Sequence, residues 1–316
     1  MPIDAKIVEL MTPVMIAQAP HLDPSNPAPH AVRRQAMAEL RQTWLEGLGY
    51  PSYPDLAETE ETVPTEVGPV RVRLFTPPTP APRPGYLFFF GGGFWQSSFD
   101  GLDIVDACRQ AASEAGVTVV EIDYPLAPEQ PYPAAVLAGA AVLQWMADEA
   151  GRLGLDPDRL AIGGQSSGGN LAAATALHVR DHGGPALKLQ ILEVPALDLT
   201  GGHLSPVPGS APAPTPVEFE DLIRAYGVLD KLTEPYVSPL LAPDLSGLPP
   251  ALVLAAEYDP LRGDAEAYGH ALRAAGVPVV QATFSGQVHA SPALRPAVPA
   301  ADAWRAMVSH ALRRWV

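Results

Sequence analysis

Leu160-Ala161-Ile162-Gly163-Gly164-Gln165-Ser166-Ser167-Gly168-Gly169-Asn170 passes without a break from an apolar, strand-like run into an alanine-rich helical pattern, and it carries Gly-x-Ser-x-Gly at Gly164, Ser166 and Gly168. A serine at the tip of a sharp strand-to-helix turn has strained backbone, and only glycine leaves room beside it for the strand and the helix to close. The helix that starts there turns unpaired amides and a positive dipole end toward the serine, a setting that favours a developing oxyanion. The same letters also fit a glycine-rich turn. The strand before and the helix after are what make Ser166 a candidate nucleophile.

Outward from this turn, short apolar runs alternate with helical patterns. Strands are predicted over 69–75, 86–90, 117–122, 159–163, 187–194, 250–256 and 277–284, most of them continuous apolar runs. Such runs suit central strands covered on both faces, so the fold class is α/β with a mostly parallel central sheet flanked by helices. The last helix, 301–315, sets Trp304, Val308, Ala311, Leu312 and Trp315 on one face that can pack on this sheet. Residues 31–48 have helical spacing but are not needed for the sheet; 1–55 are therefore expected to be an N-terminal cap segment and 56–316 the sheet domain. Proline-rich Thr76–Gly85 reads as a hairpin connection. The second proline-rich stretch, Ser205–Pro216, lies in an insertion at about 199–240 that is expected to form a lid over the carboxyl edge of the sheet.

The 316 residues, 47% of them apolar, suffice for one large core, and the net charge of −15 with no Lys/Arg cluster disfavours nucleic acid and anionic membranes as partners. Cys108 is the only cysteine, so no disulfide framework or Cys-rich metal site is available, which fits a reducing cytoplasm. No apolar run approaches the roughly 20 residues of a bilayer span, and the first ten residues do not read as a signal peptide. No metal or organic cofactor is expected. A homodimer is compatible with all of this.

Directly after the 86–90 run comes Phe90-Gly91-Gly92-Gly93-Phe94-Trp95, where consecutive glycines let backbone N–H groups turn into an open site. The stretch resembles the His-Gly-Gly-Gly motif of the hormone-sensitive-lipase family of esterases, with Phe90 where that family has histidine. Asp123-Tyr124-Pro125-Leu126-Ala127-Pro128-Glu129, the Ser166 turn, Glu257-Tyr258-Asp259-Pro260-Leu261 and Gly286-Gln287-Val288-His289 follow in the family's order, over residues 65–315 or so. The resemblance implies an α/β-hydrolase fold with a helical cap, hydrolysis of carboxylic esters of small or medium acyl chain, and an oxyanion hole made of the amides of Gly92, Gly93 and Ser167. Gln165 stands where the family commonly has Asp.

A serine hydroxyl is a poor nucleophile at neutral pH and needs a base, which in turn needs a carboxylate to orient it. Of the eight histidines, His289 follows the last predicted strand at the sheet edge that should carry Ser166, and it is the candidate base, with His203 in the lid as reserve. Asp259 closes the 250–256 run and falls between serine and histidine in the chain, giving the order Ser-Asp-His; Glu257 and Asp264 are its alternatives. Phe94 and Trp95 are candidates for the substrate pocket, or else for the core. Glu193, a carboxylate in a central-strand run, needs either a structural partner or a hydrogen bond from Gln165. The function expected is thus a serine esterase with a small-molecule ester substrate. The alternatives are an amidase or lactonase on the same residues, or a non-catalytic receptor like the plant hormone receptors that share the fold but lack the histidine present here as His289.

Overall fold

The computed structural model describes residues 2–23, 25–96, 99–207 and 216–316, so residues 208–215 of the proline-rich stretch lie outside the described residues. Two helices, α1 (Ala5–Leu22) and α2 (His30–Glu46), precede strands β1 (Ala57–Thr65), β2 (Gly68–Thr76) and β3 (Arg83–Phe89). Then follow α3 (Leu102–Ala115), β4 (Thr118–Asp123), α4 (Ala134–Asp148), the short α5 (Ala150–Leu153), β5 (Leu155–Gln165), α6 (Ser167–His182) and β6 (Leu187–Glu193). The chain closes with α7 (Pro216–Tyr226), β7 (Ala251–Tyr258), α8 (Arg262–Ala274), β8 (Val279–Val288) and α9 (Pro299–Trp315).

The described strands form one sheet in the order β1-β2-β4-β3-β5-β6-β7-β8. Strands β4, β3, β5, β6, β7 and β8 run parallel, and β2 joins β4 and β1 antiparallel. Each predicted strand is present, with ends displaced by a few residues. The stretch Thr76–Gly85 is not a hairpin connection: β2 pairs with β4 and not with β3, so the segment crosses over β4. Strand β1 escapes the sequence reading because it is a mostly exposed, glutamate-rich edge strand with no apolar run. Helix α1 escapes it because Pro13 and Pro20 lie inside it, where proline removes a helix hydrogen bond.

Strand β5 is buried from Leu160 to Gly164 and sits between β3 and β6, pairing Ile162 with Leu87 and Gly163 with Ile191. Right-handed crossovers place α3 on one face of the sheet and α4, α6 and α8 on the other. Helix α9 packs on α3, and α4 on α6. A fully buried Leu, Ile or Phe in these layers contributes about 1.5–3 kcal/mol, which is why the sandwich can support strain at its carboxyl edge. At that edge the N-terminal helices meet the loops: Ile7 and Met11 of α1 pack with Val288, Leu294 and Val298, while Met37 of α2 packs with Trp95 and with Ala225 of α7.

Candidate active site

Every residue singled out for chemistry lies just past the carboxyl end of a parallel strand: the glycine loop after β3, Ser166 after β5, Asp259 after β7 and His289 after β8. Ser166 has φ 56° and ψ −121°, a left-handed backbone costing roughly 1–3 kcal/mol in a non-glycine residue. Its surroundings hold it there. The Ser166 amide donates to the Glu193 carbonyl at 2.9 Å, and its carbonyl accepts from Asn170 and Ala196 at 3.1 and 3.2 Å. A Cβ at Gly164 would collide with the Gly168 carbonyl, and one at Gly168 with the carbonyls of Phe89 and Phe90. The two glycines of the motif are thus close-approach positions for strand, helix and neighbouring strand.

His289 Nε2 lies 2.8 Å from Ser166 Oγ, and its Nδ1 lies 2.8 Å from Asp259 Oδ2. Asp259 is fully buried, and its other oxygen accepts the Leu261 amide at 2.9 Å. A carboxylate only accepts, so Nδ1 carries the proton and Nε2 keeps its lone pair toward the serine. Burial pushes the His289 pKa down, but the charge and hydrogen bond of Asp259 outweigh it and hold it above the ordinary 6.5. An irregularity in β8 aims this side chain: Ala256 pairs with Phe284 but Tyr258 with Val288, leaving extra β8 residues between, where Gly286 has φ 75° and donates its amide to Glu257 Oε2 at 2.7 Å.

The alternatives are engaged elsewhere. His203 Nδ1 is 2.8 Å from Asp198 Oδ2, and Glu257 holds Gly286. Asp264 accepts the amides of Leu197 and Asp198 at 2.7 and 2.9 Å. Glu193 has a structural partner: Trp304 Nε1 donates to it at 2.7 Å and Arg305 at 2.8 Å, so its carboxylate is not committed to Gln165.

The glycine loop abuts the nucleophile. A Cβ on Gly91 would stand 3.0 Å from the Gln165 carbonyl oxygen and 3.3 Å from Ser166 Cβ. Gly92 and Gly93 have φ 143° and 59°, and their N–H groups have no acceptor among the described residues. The Ser167 amide, first in α6, is unpaired by the geometry of any helix start. Phe90 is buried, its ring stacked on Tyr124 at 4.3 Å. Phe94 stacks on Tyr226 at 3.9 Å, Trp95 packs against Met37 and Ala225, and Leu222 of α7 lies 2.6 Å from where a Gly93 Cβ would be. Phe94 and Trp95 are thus buried between the loop and the covering helices. The involvement of α2 and α7 with this loop was not legible in the sequence, where only the helical spacing of α2 showed. Among the described residues no group of three or more His, Cys, Asp or Glu could hold a metal ion, and no helix is long and apolar enough to cross a membrane.

The strand order and the serine turn define an α/β-hydrolase, and residues 86–292 match the family model described as the alpha/beta hydrolase fold. The chain is 38% identical over 260 residues to Esterase LipI of Mycobacterium tuberculosis, covering 79% of this chain and 80% of that one. It is 33% identical over 252 residues to Ethyl acetate hydrolase of Pseudomonas putida, covering 77% and 78%. A solved hyperthermophilic esterase from the archaeon Pyrobaculum calidifontis superposes with TM-score 0.87 at 30% identity, covering 99% of this chain and 98% of the other. This chain belongs to the hormone-sensitive-lipase-like family of α/β-hydrolase carboxylesterases and is a carboxylic ester hydrolase.

Proposed function

We propose that the protein hydrolyses esters of small or medium acyl chain through an acyl-enzyme on Ser166, with His289 as base and then acid, Asp259 as its orienting carboxylate, and the amides of Gly92, Gly93 and Ser167 as oxyanion hole. The observation that carries this reading is the unbroken chain from Ser166 Oγ through His289 to Asp259, 2.8 Å at each link. Neutral His289 takes the serine proton as Oγ bonds to the ester carbonyl carbon, and the carbonyl oxygen becomes an oxyanion facing the amides. The imidazolium returns the proton to the departing alkoxide as the C–O bond breaks. Water, deprotonated by the same imidazole, then adds to the acyl carbon, and Ser166 leaves with the proton. Asp259 stabilises the imidazolium in both halves. Alcohols leave with less help than amines, which favours esters over amides. The reading invokes no metal or organic cofactor.

Helices α1 and α2, with α7 and the other described residues of 199–240, form the cap in this reading. A short acyl group is supported by Leu222, which stands 2.6 Å from where a Gly93 Cβ would be, and by the acetyl ester for which the Pseudomonas putida relative is named. Phe94 and Trp95 act on that pocket by fastening its wall. A cytoplasmic location is supported by the single cysteine, buried Cys108. The test is labelling by a fluorophosphonate probe with and without Ser166→Ala, followed by kcat/KM on nitrophenyl esters of increasing acyl length. Ser166-dependent labelling and a fall in kcat/KM beyond medium chains are expected; labelling that survives Ser166→Ala overturns the assignment.

A further inference from the structure

We propose that Arg34, on the N-terminal helix α2, is a positioning residue for the glycine loop, so that docking of this helix sets the competence of the oxyanion hole. The proposal rests on the reading that the Gly92 and Gly93 amides bind the oxyanion.

A run of three glycines is the segment of this site with most backbone freedom to lose, and two of its residues sit in left-handed conformations. Within the loop the closures are few: the amides of Trp95 and Gln96 return to the Gly92 carbonyl at 3.3 and 2.9 Å. Outward, the Ala127 amide donates to the Phe94 carbonyl at 3.0 Å, a backbone hydrogen bond that joins the loop to the 124–130 segment. Arg34 straddles the same junction. Its Nε donates to the Trp95 carbonyl at 2.5 Å, and its Nη2 to the Ala127 carbonyl at 3.0 Å and to Glu129 Oε2 at 2.9 Å. One planar fork therefore clamps both sides of the Phe94–Ala127 bond, with the side chain only 18% exposed.

The neighbouring positions of that helix face are directed at the same residue. His30 meets the Trp95 ring edge-on at 5.2 Å, the Arg33 guanidinium lies 5.1 Å over it, and Met37 packs against it. Positions 30, 33, 34 and 37 make one helical stripe, so the first half of the face that α2 turns inward is directed at Trp95, directly after the glycines, while Arg41 further along pairs with Asp103. On the other side of the loop Phe90 supplies ring stacking and no side-chain hydrogen bond. Side-chain polar anchoring after the glycines comes from the N-terminal helix, in a part of the chain that precedes the matched 86–292 region, while before them the Tyr124 hydroxyl donates to the Phe90 carbonyl at 3.1 Å.

Arg34→Met keeps the aliphatic stem and removes the donors; Arg34→Lys keeps the charge but cannot bridge both carbonyls; Arg34→Ala leaves space for added methylguanidinium. Each is compared with wild type for kcat and KM on a short-chain nitrophenyl ester, for inhibition by a trifluoromethyl ketone that mimics the tetrahedral intermediate, and for Tm. Removing an oxyanion donor outright costs about 10²–10³ in kcat, so a misaligned loop is expected to lower kcat about tenfold or more in Arg34→Met, with KM within about threefold. The ketone is expected to weaken in parallel, Lys to restore little, and methylguanidinium to restore part of the Arg34→Ala loss. If Arg34→Met does not fold, the kcat and KM split of Arg34→Lys decides. Wild-type kcat and ketone affinity in a folded variant, or a loss confined to Tm, overturns the proposal. Absence of Ser166-dependent labelling in the wild-type enzyme would instead remove the underlying mechanism, so the two failures are separable.

Discussion

Tyr124 stacks on Phe90 with ring centroids 4.3 Å apart and donates its hydroxyl to the Phe90 carbonyl at 3.1 Å, closing a two-point contact at the root of the glycine loop. The Phe90 side chain is held by stacking alone, while the hydrogen bond from Tyr124 holds its carbonyl. Phe90→Ala is expected to lower kcat about tenfold or more while KM changes little, and to cost about 3–5 kcal/mol of stability as a large core truncation. Tyr124→Phe, which keeps the stack and loses only the hydroxyl, is expected to cost about 0.5–1.5 kcal/mol and to lower kcat less. Hydrolysis kinetics alongside thermal melting measure both; unchanged kcat in folded Phe90→Ala would show that the ring does not align the loop.

In the proposed mechanism Ser166 and His289 share one proton-transfer coordinate, so removing either should disable both. Ser166→Ala and His289→Ala are each expected to cut kcat by several orders of magnitude, and the double variant to lose little more than either alone. Additive losses in a double-variant cycle would mean that the two side chains act in separate steps.

The Asp259 carboxylate raises the pKa of His289 above 6.5, against a burial effect of opposite sign. In the proposed mechanism His289 is the base and works as neutral imidazole, so kcat/KM for a neutral ester is expected to rise with pH through one ionisation lying above that value. In Asp259→Asn the raising charge is gone and burial remains. Its profile should shift to lower pH while the rate at the plateau falls steeply. A pH-rate series on both proteins checks it, and an inflection that moves upward in Asp259→Asn contradicts the assignment.

Burial pushes the Asp264 carboxyl up to about 7, while the amides of Asp198 and Leu197 pull it the other way. Its folded value is therefore above the ordinary 3.8, and its contribution to stability is complete below that value and lost as pH rises through about 7. Asp264→Asn keeps an acceptor for the Leu197 and Asp198 amides but cannot ionise. Tm measured between about pH 5 and pH 8 is expected to fall less in the variant than in wild type. An equal fall in both would place the pH dependence elsewhere.

The α/β class, the strands β2 to β8 and the serine turn were legible because their causes are local. A strand covered on both faces must be apolar throughout, as Leu160–Ile162 is, and a turn that brings helix and strand into contact admits only glycine at Gly164 and Gly168. Ser166, Asp259 and His289 could be ranked among their competitors because each follows a strand that the sequence predicts, in the chain order that the fold imposes. Edge strand β1 and proline-bearing α1 left no such mark, since an exposed strand needs no apolar run and α1 takes its anchorage from Val288 and Leu294, far along the chain.

What the sequence by itself determined, then, is which residues could do the chemistry; tertiary structure alone decided which of them meet and what holds them. The crossing of Thr76–Gly85 over β4 depends on strand pairings that carry no signature in the connecting residues. The partners of Glu193, Trp304 and Arg305, lie on the last helix, and the partners of the Trp95 and Ala127 carbonyls lie on the second helix of the chain. A backbone carbonyl looks the same in every sequence, and a surface-type arginine reads as solvated until folding sets it between two carbonyls that need donors. Contacts of that kind belong to the assembled molecule, because the energy of a hydrogen bond is fixed by distance and direction in space, not by separation along the chain.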